Sequence, residues 1–241
     1  MMMTSLSSDP FRQRLSDQAR KLQSSAERWN ESQSSLITAD RYLDSAERQF
    51  QQAWHPQRQA SFDNERTDSS WHGRDLQRLF RQGGQETDRS EAETRRVGGQ
   101  LGTLQNEVGQ SDRELETLIA DMRAANDSRV PLLMQAAGDV DRAQEGFGGA
   151  GAGVNRFEAS GRWIDQAAWR ADSPIYGIMS DRPGVNVSHH AHQVGNSIRD
   201  IEREMQNMNW ALIDAQRSGD QAESHLRGAA DKLSQAAEGP R

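Results

Sequence analysis

Apolar residues recur every seven positions along the first fifth of the chain, at Leu15, Leu22, Trp29, Leu36, Leu43 and Phe50. A companion row of small residues, Ala19, Ala26, Ala39, Ala46 and Ala53, lies at or near the complementary spacing. Such spacing gathers apolar side chains into one stripe of a helix and leaves the other faces polar. Asp9-Pro10 supplies a start, with Asp9 as N-cap and Pro10 at the first helical position. His55-Pro56 supplies a stop, because proline disfavours helix in the residue before it. The pattern predicts one helix of roughly 45 residues between these signals.

Residues 56–70 read as a polar turn, with Pro56, Asn64, Asp68, Ser69 and Ser70. A short apolar cluster follows (Trp71, Leu76, Leu79, Phe80), and Gly83-Gly84 weakens any helix there. The next run alternates steps of four and three: Val97, Leu101, Leu104, Val108, Ser111, Leu115, Leu118, Met122 and Ala125. Asn126-Asp127-Ser128 marks a break, and Pro131 suits the first turn of a third helix carrying Leu133, Ala137, Val140 and Phe147. The glycine-rich segment 146–153 reads as the strongest break in the chain. A shorter helix follows it with Phe157, Trp163, Ile164, Ala168 and Trp169, then a loop over 172–186. The last run is the longest seam, from Val187 through Ile198, Met205, Leu212, Ala222 and Leu226 to Ala236 in unbroken four-three steps. Gly239-Pro240 ends it.

These elements predict an all-α fold: an elongated antiparallel helical bundle or coiled coil with three long helices and one or two shorter ones. The expected organisation is an N-terminal helical hairpin region over 1–145 and a Gly/Ala-rich linker over 146–153. A C-terminal helical region follows over 154–241, with the loop 172–186 and a long helix 187–237. No strand alternation and no internal repeat stand out.

Composition narrows the class. Leu, Ile, Val and Phe make up 38 of 241 residues, below the ~20% at which thick globular cores give way to thinner folds or disorder. The net charge of −7 is too small to force disorder by self-repulsion. There is no cysteine, which excludes disulfides, thiolate zinc sites and cysteine nucleophiles. Lys21 and Lys232 are the only lysines among 29 basic residues, and both signs of charge are interspersed. With a pI near 5.4, nucleic acid is not an expected partner. No apolar run approaches the ~20 residues of a membrane span, and no helix carries the basic face that anionic lipid would need. The N-terminus lacks the basic and apolar regions of a cleavable signal. The expected location is cytoplasmic, or outside the cell by a route without such a signal.

Trp71-His72-Gly73 is a W-x-G tripeptide between helical segments, with Phe80 nine residues past the tryptophan. Trp54-His55-Pro56, with Phe62 eight residues on, is a similar arrangement. Over about residues 35–125 the chain resembles the WXG100 (ESX-type) secreted proteins, whose two antiparallel helices meet at a W-x-G turn. The resemblance implies that Trp71, Gly73 and Phe80 close a hairpin end and that the protein is exported by a type VII system. The family's Y-x-x-x-D/E export signal is not present: Tyr42 is followed by Ala46 and Tyr176 by Ser180.

Gly146-x-Gly148-x-x-Gly151 matches the dinucleotide fingerprint as a string, but it follows a helical pattern rather than a strand, and we read it as part of the linker. His189, His190 and His192 are the candidate metal ligands, His189 and His192 sharing one helix face. No further ligand lies near them in sequence, so we read them as a solvated first helical turn. No cofactor is expected. Of the six tryptophans, Trp29 lies on a seam and belongs to the core, whereas Trp54, Trp71, Trp163 and Trp169 are candidates for turn or interface positions. No nucleophile elbow, HExxH pair, P-loop or calcium loop occurs. The expectation is a non-enzymatic interaction or structural protein whose seams close on each other or pair with a protein partner's helices. The alternatives are a phage or secretion-apparatus subunit and a membrane-surface helical scaffold.

Overall fold

The computed structural model describes residues 9–62, 69–180 and 186–239. These residues are 95% helical, with no strand among them. There are four long helices: α1 (Arg12–Phe62), α2 (Ser70–Ala124), α3 (Val130–Met179) and α4 (Val187–Glu238). They range from 50 to 55 residues, so the expected shorter helices do not occur among the described residues.

Two compact units are built from these helices. Unit 1 takes Met1–Gln33, Gly99–Ala152 and Asp214–Arg241; unit 2 takes Ser34–Gly98 and Gly153–Ile213. In unit 1, Arg14 pairs with Asp121 at 2.7 Å, Lys21 with Glu114 at 2.5 Å, and Arg28 with Glu107. One partner rises by seven as the other falls by seven, which makes α1 and α2 antiparallel. Each pair is about half exposed and contributes ~0–1 kcal/mol, so the ladder fixes register more than stability. Likewise α3 meets α4 through Asp139 with Lys232 and Gly146 with Ala222, and α4 meets α1 through Asp220 with Trp29. In unit 2, Phe50 packs edge-on to Phe80, Gly98 meets Val154, Arg170 pairs with Asp200, and Trp54 bonds Glu202. Each unit is thus an up-and-down antiparallel four-helix arrangement whose apolar seams close on one another.

The seams fall where the spacing puts them. Leu15, Leu22, Trp29, Leu36, Leu43 and Phe50 are buried, as are Val194, Ile198, Ile201, Met205, Met208, Leu212, Ala215, Ala222, Leu226, Leu233 and Ala236. Ala125 is exposed beyond the end of α2, and Ala136 rather than Ala137 is buried in α3.

Three expected breaks are helical instead. α1 runs through Pro56 to Phe62. A mid-helix proline costs ~3 kcal/mol, and here packing offsets it: Pro56 is itself buried, Ala60 is buried, and Gln57 donates from Nε2 to the Ala191 carbonyl at 2.8 Å. α3 runs through Pro174 to Met179, so residues 172–179 of the expected loop are helix, while 181–185 lie outside the described residues. Pro183 and Gly184, and likewise Asn64, Asp68 and Pro240, are also outside them.

The expected linker 146–153 lies wholly inside α3. Phe147, Ala150 and Val154 continue its four-three seam and are buried. Gly146 and Gly149 face Ser218 and Ala222 of α4 so closely that a Cβ at Gly146 would overlap both. Gly148 faces open space. Gly148→Ala should therefore raise stability by about 0.5–1 kcal/mol, and Gly146→Ala should lower it by about 1–3 kcal/mol through overpacking. Paired chemical denaturation curves check the opposite signs.

The α2–α3 connection shows how the breaks that do occur are made. Asn126 takes the left-handed conformation at φ 54°, with Asp127 N–H donating to the Met122 carbonyl (2.9 Å) and Asn126 N–H to the Arg123 carbonyl (3.1 Å). This is a Schellman stop with asparagine in the usual glycine position. Arg129 then ties three helix ends of unit 1 together. It bonds Asp9, whose Oδ1 also caps α1 at Phe11 N–H (3.0 Å), Asp127, which caps α3, and the Ala236 carbonyl of α4 (3.1 Å). Hydrogen bonds from Arg129 hold both the Asp9 and Asp127 carboxyls below the usual carboxylate range. A depressed folded pKa gives stability that is present above the unfolded value, ~3.9, and lost as pH falls through the folded value. Arg129→Met should cost about 2–3 kcal/mol at pH 7 by leaving two part-buried carboxylates unpaired. The gap to the unsubstituted protein should close below about pH 3, which melts across pH would show.

Candidate functional site

Sorting the aromatic residues by exposure separates those that build the fold from those that do not. Trp29, Phe50, Phe147 and Phe157 are fully buried and Phe80 nearly so. Five large aromatics on α2, α3 and α4 of unit 2 stand out to solvent: Trp71, Trp163 (57% exposed), Trp169 (74%), Tyr176 (67%) and Trp210 (66%). Ile213 and Ile37 are exposed in the same unit. Phe62, at the end of α1, is also exposed.

The residues expected at turn or interface positions divide accordingly. Phe80 packs edge-on to Phe50, ring centroids 5.6 Å apart. Trp54 is half-buried, donating from Nε1 to Glu202 at 2.6 Å with the Arg58 guanidinium over its ring. Gly73 lies in the first turn of α2 against Met179, where a Cβ would overlap the methionine side chain. Trp71 is its exposed neighbour in the same turn. Trp163 and Trp169 project outward from α3. Tyr176, which sequence reasoning did not single out, lies one heptad after Trp169 on the same line of α3, and that spacing is the signal that could have found it.

Charges of both signs share this stretch of α3. Glu158, Asp165 and Asp172 recur at seven-residue spacing along one line of α3, and the charge of Asp165 acts on Glu91 of α2. The exposed positions carry Arg156, Arg162, Trp163, Trp169, Arg170 and Tyr176, and the exposed Asp165 and Asp172 lie one turn before Trp169 and Tyr176. The result is an aromatic outer face of mixed charge, on which Arg170 is already paired with Asp200. Trp, Tyr and Arg are the residues enriched where protein surfaces meet and carry most of their binding energy.

The histidines occupy the first turn of α4. Asn186 caps that turn, its Oδ1 accepting from His189 N–H at 2.9 Å. His189 and His192 are exposed, and His190 is half-buried against Gly177 of α3. Among the described residues no group of three or more His, Asp or Glu side chains could hold a metal ion. A surface cleft of about 360 Å³ between α1 and α2 of unit 1 is lined by Arg14, Asp17, Gln18, Lys21, Glu114, Thr117 and Leu118. Its charges already satisfy one another: Lys21 and Gln18 bond Glu114, which holds that carboxyl below its ordinary range. It offers no converging acid, base and nucleophile.

Compared with known proteins, the chain matches no family model, no curated protein and no solved structure. Among the described residues, no helix is long and apolar enough to cross a membrane.

Proposed function

We propose that the protein is a non-enzymatic helical-bundle interaction protein that docks a protein partner on the exposed aromatic residues of α3 in unit 2. The observation that carries this reading is the exposure of Trp163, Trp169 and Tyr176 on one helix whose seam is already filled by Phe157, Ile164, Ala167, Ala171 and Ile175. The seams are spent within the chain, so a partner is met by the surface and not by an open seam. Large aromatics left in water cost solubility without adding to the core, and hot-spot chemistry is a use for them.

The test is a triple variant, Trp163→Ala, Trp169→Ala and Tyr176→Ala. Its thermal midpoint should stay within a few degrees of the parent, because exposed positions contribute about ±0.5 kcal/mol each. Association with the partner should fall by at least a hundredfold, with two hot-spot residues at ~2 kcal/mol each. Association here covers self-association measured by light scattering as well as capture by a protein co-expressed with it. A variant that unfolds, or that associates like the parent, contradicts the reading.

Export by a type VII route belongs to the same class of function. It is supported by Trp71-His72-Gly73 at the start of α2 and by the antiparallel α1–α2 pairing. Neighbouring genes for a type VII secretion ATPase would favour it, and phage structural genes would favour a virion or secretion-apparatus subunit.

A further inference from the structure

The part of α2 in unit 2 has a polar core layer. Thr87, Ser90 and Thr94 are fully buried, and each is satisfied. Thr87 and Thr94 donate to the Gly83 and Ser90 carbonyls of their own helix (3.0 and 2.9 Å), and Ser90 donates to the Ala39 carbonyl of α1 (2.6 Å). Glu91 is the exception in this layer. Its side chain is 6% exposed, one carboxyl oxygen pairs with Arg95, and Oε1 is buried with no hydrogen-bond partner. Oε1 lies against Gly161 of α3 so closely that a Cβ there would overlap it.

The charges around this carboxyl do not balance it. Arg95, its one cationic partner, is 61% exposed, and water screens a pair of that kind. Two carboxylates act on it, Asp165 from α3 and Asp88 from its own helix, but both are exposed and screened as Arg95 is, so burial of the dry oxygen is the main cause. Burial disfavours an anion with a dry oxygen far more than a neutral acid. Burial first, then Asp165 and Asp88, push the Glu91 carboxyl above its ordinary range against the pull of Arg95. Burial and then Asp88 push Asp165 up as well.

We propose that Glu91 is a proton-binding site: its carboxyl takes up a proton as the medium becomes mildly acidic, and the α2–α3 contact of unit 2 tightens when it does. A folded value raised above the unfolded one gives stability that is complete below the unfolded pKa, ~4.3 for glutamate, and lost as pH rises through the folded value. The sign is opposite to that at Arg129 in unit 1, where acid removes stability. The two sites bias the chain in opposite directions in different pH windows. The site draws on no partner and does not depend on what docks on α3.

Glu91→Gln copies the protonated form. Melts of the parent, Glu91→Gln and Asp165→Asn from pH 8 down to pH 4.5 test the proposal. At pH 8 the Gln variant should melt about 2–4 °C above the parent, and the difference should shrink as the pH falls toward 4.5. Asp165→Asn should show a smaller gain of the same sign. A Gln variant that melts at or below the parent at pH 8, or a gain that does not shrink toward pH 4.5, overturns it.

Discussion

Trp29→Ala is expected to lower stability by about 3–5 kcal/mol, the usual cost of truncating a buried aromatic. Trp29 joins three helices of unit 1. It is fully buried on α1, its ring lies 5.9 Å from that of Phe147 on α3, and Nε1 donates to Asp220 of α4 at 3.0 Å. The ring also lies over Gly219, where any Cβ would overlap it. Glycine at this position of α4 is thus explained by close approach. Trp29→Phe should cost less, because most of the apolar volume remains and Asp220 keeps its bond from Gln33. Gly219→Ala should cost about 1–3 kcal/mol by overpacking. The three substitutions should rank Trp29→Ala worst in urea unfolding. A Trp29→Ala variant within 1 kcal/mol of the parent would mean that the ring is not at this crossing.

The second large effect is expected at Leu212. Leu212 is 5% exposed on the seam of α4, and Ile213, the next residue, is 47% exposed. A carboxylate at Leu212 has no partner and costs several kcal/mol, roughly 3–5, or is forced to protonate. At Ile213 the same charge meets water, and the cost should stay within about 1 kcal/mol. Leu212→Asp should therefore unfold or severely weaken the bundle at neutral pH while Ile213→Asp melts near the parent. Equal damage from both would place the inward face of α4 elsewhere.

The four-three spacing made the α4 seam legible from end to end, because every position is apolar, alanine or glycine. It made α1 legible as far as Pro56, where a local rule about proline was overridden by burial of Pro56, Gln57 and Ala60. α2 was only half legible. Its register runs unbroken through Ser69, Gly73, Leu76, Phe80, Gly83, Thr87, Ser90, Thr94 and Val97 to Met122, and all of these are buried. Gly83, Thr87, Ser90 and Thr94 carry no hydrophobic signal, so a reading by hydropathy breaks the helix where the register continues. The hydroxyls of Thr87, Ser90 and Thr94 are satisfied by carbonyls that only the folded helices present. α3 was misread for a related reason: Gly146 and Gly149 look like a linker until α4 is packed against them.

The candidate surface was legible in part. Trp71, Trp163 and Trp169 could be named from the sequence, but so could Trp54, Gly73 and Phe80, which turn out to be packing residues. Exposure separates the two groups, and exposure depends on the neighbouring helix. Glu91 gave no signal, because a carboxylate on a helix flank is ordinarily solvated and only Gly161 opposite makes it dry.

Fluorine NMR of the protein labelled with 5-fluorotryptophan tests most directly whether the seams close within the chain and leave an aromatic surface free. The chain has six tryptophans, and single substitutions assign them. The fold predicts that Trp29 shows no resonance shift between H₂O and D₂O, that Trp54 is intermediate, and that Trp71, Trp163, Trp169 and Trp210 shift as solvent-exposed indoles do. If Trp163, Trp169 and Trp210 prove as shielded as Trp29 in the monomer, the aromatics belong to the core, and no docking surface exists on unit 2.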